Sequence, residues 1–322
     1  MNRLKLLVLC GGPSTEHEVS LKTAEMILRS LDTKKYKTEK AIIEKNSSWI
    51  IHDKKKSMPA AEAPLWLVRS KFDFVFIAIH GAFGEDGQIQ AILEWLGIPY
   101  SGSGVLSSGI VMDKNISNIL YTANGFQVPR YVIHKKNKDI IFPFPLVVKP
   151  IKGGSSIGTS IVKTKRELPN ALRAAFQEGN RIMLQEYIKG REITCAILED
   201  KNGRPHALPP TEIIPKSAAF FDYRAKYSIG GSKEVTPAKI LKKQTQEIQT
   251  LALKAHSILG CSGMSRSDFI LRNRKFFILE TNTIPGMTET SLLPQAARAA
   301  RISFGTLLDM IIQNGLYNKN HA

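Results

Sequence analysis

The chain is 322 residues long, with a hydrophobic share of 43% and a charged share of 23%, proportions of a globular protein that exclude a disordered or fibrous chain. A length beyond roughly 250 residues usually divides into more than one core, so two or three domains are expected. The 45 Lys and Arg outweigh the 28 Asp and Glu by +17 and attract anions of any kind, yet the lysine clusters at 34–35, 54–56, 135–136 and 242–243 carry no interleaved aromatics, so a solvated basic surface is expected and not a nucleic-acid or membrane face.

The first apolar run, residues 4–10, reads as a buried strand. Arg3 and Lys5 ahead of Leu6-Leu7-Val8-Leu9-Cys10 imitate a lipoprotein leader, but the run is too short for one and Leu9 stands where a small residue is wanted. No run approaches the roughly 20 apolar residues of a membrane span. Cys10, Cys195 and Cys261 lie in or beside apolar runs without paired spacing. The expected setting is therefore the cytoplasm, with reduced, buried thiols.

The strand runs into Gly11-Gly12-Pro13-Ser14-Thr15-Glu16-His17-Glu18-Val19-Ser20 and a helix whose apolar stripe is Val19, Ala24, Ile27, Leu28 and Leu31. Strand, glycine turn and helix open a doubly wound α/β unit, whose strand tips bind ligands. The turn lacks the spacing of a dinucleotide fingerprint, and Glu16 and Glu18 would repel a pyrophosphate. Glu16 either faces an ammonium group or complements the helix dipole. A strand over 74–79 ends at His80-Gly81-Ala82-Phe83-Gly84-Glu85-Asp86-Gly87-Gln88, where His80 is either a polar strand cap or a site group. A helix over 89–96 and a strand-like 99–100 close this unit near residue 102.

Beyond Ser101-Gly102-Ser103-Gly104 a helical stretch carries Met112-Asp113-Lys114, and the strand Phe144-Pro145-Leu146-Val147-Val148 ends on Lys149. A lysine closing an apolar strand is costly to bury unless an anion accompanies it. Lys152-Gly153-Gly154-Ser155-Ser156-Ile157-Gly158 follows, small residues that let backbone N–H groups approach a phosphate, without the ending of a P-loop. Residues 181–192 supply a strand and turn, Glu192 opens a strand over 193–198, and the irregular stretch 209–237 has the length of a lid or binding loop. A helix over 239–259 has Ile248, Leu251, Ala252, Ala255 and Leu259 on its apolar face.

The densest constellation comes last. Apolar runs at 269–271 and 276–279 flank the polar turn Arg272-Asn273-Arg274-Lys275, the pattern of a hairpin. Asp268 then starts one strand, while Glu280 and Asn282 end the other on one face. Such oxygen donors suit Mg²⁺, which takes one or two carboxylates and leaves other positions to water and phosphate. Arg266 lies two residues before Asp268, and Pro285-Gly286 follows directly.

Taken together, Gly11-Gly12-x-Ser14-x-Glu16-His17-Glu18-Val19-Ser20, His80-Gly81-x-x-Gly84-Glu85-Asp86-Gly87-x-x-Gln90, Met112-Asp113-Lys114, Gly154-Ser155-Ser156-x-Gly158, Gly190-Arg191-Glu192, Arg266-x-Asp268 and Glu280-x-Asn282-Thr283-x-Pro285-Gly286-Met287-Thr288 carry a resemblance. Over residues 6–308 the chain resembles the D-alanine:D-alanine ligases of the ATP-grasp superfamily. The resemblance implies an α/β chain of three domains: a doubly wound parallel α/β substrate-binding domain at 1–102, a central ATP-grasp lid domain at 103–187 and a C-terminal ATP-grasp catalytic domain at 188–322.

It further implies that ATP lies between the last two, with Lys114, Lys149, Ser155 and Ser156 at the phosphates, Gln185, Glu186 and Ile188 at the adenine, and Glu192 near the ribose. Asp268, Glu280 and Asn282 would hold two Mg²⁺ (or Mn²⁺) ions. Glu16, with His80 nearby, would take the first D-alanine's ammonium; Arg266 and the Gly286 N–H would stabilise the oxyanion; Ser291 and the Leu292 N–H would bind the second carboxylate. Lys226 would reach the transferring phosphate and Tyr227 would close toward Ser155 and Glu16. One departure is Gln185, where the family more often has Glu. The implied reaction is ATP-dependent synthesis of D-alanyl-D-alanine for peptidoglycan, by a cytoplasmic enzyme that the family allows to be a homodimer. The alternatives are a ligase for D-lactate or D-serine and, from the net charge, a basic nucleic-acid-binding protein, which would show strong salt-dependent retention on DNA.

Overall fold

The computed structural model describes residues 3–51, 56–135, 142–215 and 232–321. The described strands form three sheets. The first contains β1 (Leu4–Gly11), β2 (Tyr36–Ile43), β3 (Trp49–Ile51), β4 (Lys56–Met58) and β5 (Phe74–Ile77), in the order β4-β3-β2-β1-β5. Its centre is parallel, β1 pairing with β2 and β5, and β3 and β4 add an antiparallel edge. Leu6 to Cys10 are completely buried, as expected of a parallel strand covered on both faces. Helices α1 (His17–Ser30), α2 (Ala63–Ser70) and α3 (Gln88–Trp95) accompany this sheet.

The central part opens with α4 (Val105–Met112) and α5 (Lys114–Ala123). The helical stretch read from sequence is broken between them: Asp113 has an extended backbone and its carboxylate accepts from the Asn115 and Ile116 N–H groups at 3.0 and 3.2 Å. That cap fixes Lys114 as the first residue of α5. There follow β6 (Tyr131–Lys135), β7 (Leu146–Pro150), β8 (Ser160–Val162), α6 (Leu168–Gln177) and β9 (Arg181–Glu186), the strands pairing antiparallel in the order β6-β9-β7-β8. Leu146, Val148, Ile182 and Leu184 turn one face of this sheet onto Leu168, Ala171 and Ala175 of α6.

The third sheet contains β10 (Arg191–Glu199), β11 (Pro205–Ala207), β12 (Thr211–Pro215), β13 (Ser232–Val235), β14 (Met264–Arg272) and β15 (Lys275–Asn282), in the order β13-β12-β10-β14-β15 with β11 on β10. Helix α7 (Lys242–Ile258) covers it, packing Ile248, Ala252 and Ala255 against Ile193, Ile197, Phe269 and Ile278. The expected irregular stretch 209–237 is corrected at both ends, where β12 and β13 pair antiparallel. Helices α8 (Leu292–Ala299) and α9 (Phe304–His321) return to the first sheet, so that Leu293, Leu307, Leu308, Ile311 and Ile312 share one apolar cluster with Leu6, Leu9 and Phe74. The Tyr36 hydroxyl donates to Asp309 Oδ1 at 2.9 Å, tying β2 to α9.

Candidate active site

The hairpin expected from sequence is present, but β14 begins at Met264, so Asp268 lies within the strand and not at its start. Arg272 pairs with Lys275 across the two-residue turn Asn273-Arg274, both at positive φ (48° and 63°). Such a turn matches the twist of the strands it joins. A register shift follows Asp268: Phe269 faces Ile278, whereas Asp268 faces Glu280 and Arg266 faces Asn282. The extra residue, Leu279, sets the two carboxylates side by side in the manner of a β-bulge beside an active site.

Asp268 is buried and heavily hydrogen-bonded. The Arg266 guanidinium donates to both its oxygens, from Nε at 2.8 Å and Nη2 at 2.9 Å, and the Thr194 hydroxyl donates at 2.6 Å. Glu280 is 3.6 Å from Lys114 Nζ, and the Asn282 amide oxygen accepts from the Ile284 N–H at 2.8 Å. Among the described residues no group of three or more His, Cys, Asp or Glu is placed to hold a metal by itself. Asp268, Glu280 and Asn282 instead form a set of two carboxylates and one amide oxygen, which fits Mg²⁺ completing its shell with water and substrate phosphate.

Beside this hairpin lies a cavity of about 290 Å³ between the second and third sheets. Lys114, Lys149, Ser156, Gln185, Glu186, Ile188, Glu192, Asp268 and Glu280 all line it, as do Val147, Ile157 and Leu279. Lys149 is buried, and burial pulls its ammonium down to about 8; Glu280 pushes the other way and Lys114 adds to the fall. This is the buried cation that the sequence marked as costly without an anion. Lys114 Nζ donates to the Gly153 carbonyl at 2.5 Å, anchoring the Gly/Ser loop. In that loop Ser155 and Ser156 have φ of 51° and 60°, a left-handed conformation rare for residues with a Cβ and concentrated at functional sites.

A second cavity, about 150 Å³, adjoins the same hairpin and is lined by Glu16, His80, Glu85, Ser155, Arg266, Asp268, Glu280, Gly286, Ser291 and Leu292. The Ser155 hydroxyl donates to Glu16, joining the Gly/Ser loop to the tip of the first sheet. A Cβ on Gly154 would come 3.1 Å from Glu16 Oε2, so that glycine permits the approach. His80 Nδ1 lies 3.6 Å from Glu85, and its Nε2 is 3.0 Å from the Thr23 hydroxyl. Burial opposes charging of His80, but Glu85 and Glu16 outweigh it and the imidazole is raised. Glu85 is itself raised, by burial and by Glu16, against the pull of His80. Two carboxylates with one imidazole make a pocket suited to an ammonium group.

Across the cavity Ser291 precedes α8, whose first residue is Leu292. The Thr288 N–H donates to Ser291 Oγ at 3.0 Å, and a Cβ on Gly286 would meet that oxygen at 2.8 Å. Hydroxyl and helix N-terminus together suit a carboxylate.

Every expected site residue within the described residues lines one of the two cavities; Lys226 and Tyr227 lie outside the described residues. Sequence reasoning gave no role to Glu85 or to Glu234, which also lines the smaller cavity. Glu85 stood inside the glycine-rich motif after His80, and that placement was the available signal.

A deep cavity clasped between two antiparallel sheets, with the buried Lys149 and the half-buried Lys114 lining it beside oxygen donors on a hairpin, is the architecture of an ATP-grasp enzyme, and solved structures of the same fold include D-alanine ligases. A family model described as "D-ala D-ala ligase N-terminus" matches residues 5–103, and one described as "D-ala D-ala ligase C-terminus" matches residues 123–313. The D-alanine--D-alanine ligase of Syntrophobacter fumaroxidans is 42% identical over 322 residues, covering 98% of each chain. The Bacillus anthracis ligase, solved as a complex with ATP, is 34% identical with a TM-score of 0.81 over 99% of each chain. The VanG D-Ala:D-Ser ligase of Enterococcus faecalis is 32% identical with a TM-score of 0.84, covering 98% of this chain and all of that one. The chain belongs to the D-alanine--D-alanine ligase family.

Proposed function

We propose that this protein joins two D-alanines at the expense of ATP, giving D-alanyl-D-alanine, ADP and phosphate, for peptidoglycan synthesis in the cytoplasm. The observation that carries the reading is the adjacency of the two cavities at one hairpin: the lysine-lined cavity and the acidic pocket share Lys114, Asp268 and Glu280. ATP occupies the larger cavity, its phosphates toward Lys114, Lys149 and the Ser155-Ser156 loop, its base toward Gln185, Glu186 and Ile188, and its ribose toward Glu192. Asp268, Glu280 and Asn282 hold Mg²⁺, which neutralises phosphate charge when bound.

Glu16, supported by His80 and Glu85, takes the ammonium of the first D-alanine, so that its carboxylate points at the hairpin and receives the γ-phosphoryl group. Ser291 and the Leu292 N–H hold the carboxylate of the second D-alanine and aim its amine at the resulting acylphosphate. Arg266 and the Gly286 N–H stabilise the oxyanion that forms. The enzyme's contribution is positioning and charge compensation. The domain division at 102 and 187 belongs to this reading, each cavity lying where segments meet.

The D-Ala:D-Ser ligase relative matches the fold as well as the D-alanine ligases do, so acceptor choice is a matter of side chains. Among the described residues no helix is long and apolar enough to cross a membrane. The test is release of phosphate from ATP on addition of D-alanine, with L-alanine as control. Dependence on D-alanine supports the reading, and equal release with either enantiomer overturns it.

A further inference from the structure

The inference concerns Gln185 and rests on the reading of the larger cavity as the ATP site. In the second sheet Gln185 faces Val147 across β7, and Lys149 faces Met183. Side chains alternate along a strand, and Leu146, Val148, Ile182 and Leu184 all turn toward α6. Gln185 therefore shares the opposite face with Val147 and Lys149, the face that lines the cavity. It is 2% exposed, and among the described residues its Nε2 has no hydrogen-bond partner. Val147, Ile188 and Leu279 give the cavity apolar walls around it. A buried amide left unpaired is expensive, and a polar ligand edge removes that penalty. A flat ring system with apolar faces and a polar rim fits such a slot.

We propose that Gln185 reads the 6-position of the purine and, because it is an amide, admits 6-oxopurine as well as 6-aminopurine triphosphates. An amide offers an acceptor oxygen and two donor hydrogens and interchanges them by a flip, whereas a carboxylate in the same place only accepts. With adenine the Gln185 oxygen accepts from the exocyclic amine while Nε2 donates to the adjacent ring nitrogen N1. With hypoxanthine the flipped Nε2 donates to the 6-oxo group. Glu at 185 would set two acceptors against each other with a 6-oxopurine. The effect lies in the ratio between the two nucleotides.

The experiment compares full-length wild type with Gln185→Glu and with Gln185→Leu, which keeps the side-chain size without the amide. D-alanine-dependent phosphate release is measured with ATP and with ITP, and equilibrium binding with ADP and with IDP. Gln185→Glu is expected to widen the ATP-to-ITP ratio of kcat/KM, and the ADP-to-IDP ratio of affinities, by about tenfold. Gln185→Leu is expected to weaken ADP and IDP alike. Unchanged ratios in Gln185→Glu, or unchanged affinities in Gln185→Leu, overturn the assignment. If the wild type releases no phosphate with D-alanine, the ligase reading fails, while the binding ratios still decide the role of Gln185.

Discussion

Lys149 makes nucleotide binding depend on pH in a direction the structure sets. Burial holds its ammonium at about 8, against 10.5 for an exposed lysine. The sign follows: the lowered value leaves the charged form in place below pH 8 and removes it as pH rises through 8. With one such group, roughly 90% is charged at pH 7 and roughly 10% at pH 9, so affinity for ADP should fall about tenfold across that interval if the charged form alone binds. The terminal phosphate of ADP is already about 90% ionised at pH 7, its last pKa lying near 6, so between pH 7 and 9 its own titration adds little. The assay is equilibrium ADP binding at fixed Mg²⁺ from pH 6.5 to 9.5, which avoids the titrating amine of D-alanine. Lys149→Arg keeps its charge over the whole range and should flatten the profile even where its absolute affinity is lower. A flat wild-type profile, or one equally steep in Lys149→Arg, would refute the placement of this lysine at the phosphates.

Three other perturbations follow from the geometry. Glu280→Gln removes a metal-site charge at nearly constant volume and should abolish ligation while thermal melting stays close to wild type; near-normal turnover at saturating Mg²⁺ would sink the metal assignment. Arg266→Lys loses the fork that addresses both Asp268 oxygens and should reduce kcat by about 10²-fold or more, the scale of one oxyanion donor; a rise in KM for D-alanine alone would make Arg266 a ground-state binder. Burial would raise Glu199, but His256 Nε2 at 3.1 Å, the Gly263 N–H at 2.8 Å and Asn314 Nδ2 at 2.9 Å hold it below the usual carboxylate range. The stability from this lowered value is present above about pH 4.3 and lost as pH falls further. Glu199→Gln should therefore lower Tm at pH 7, with the gap to wild type narrowing toward pH 3, and a gap independent of pH would contradict the network's role.

What could be read from the sequence was local. The run from Leu6 to Cys10 is apolar enough to announce a doubly buried strand, and the 269–279 hairpin shows both its runs and its turn. Strand β2 escaped because four of the five residues in Tyr36-Lys37-Thr38-Glu39-Lys40 are polar, and only residues 41–43 of the strand pair with β3. The bulge that brings Asp268 opposite Glu280 leaves no mark in a periodicity. Nor does the return of α9 to the first sheet, since Leu307, Leu308, Ile311 and Ile312 are simply an amphipathic stripe until their partner is known. The candidate site was legible as motifs whose residues the fold then gathers from six separate stretches, around 16, 80–85, 114, 149–156, 185–192 and 266–292. The ion-pair partner of His80, and the bonding of Glu16 to Ser155 across 139 positions, needed coordinates.

The most direct test of the account is a single incubation of the protein with ATP, Mg²⁺, D-alanine and equimolar D-serine and D-lactate, with products separated and weighed by mass spectrometry. The account predicts D-alanyl-D-alanine as the dominant product, formed in step with ADP. ADP formed without any dipeptide, or a mixture dominated by D-alanyl-D-serine or the D-lactate ester, would contradict it.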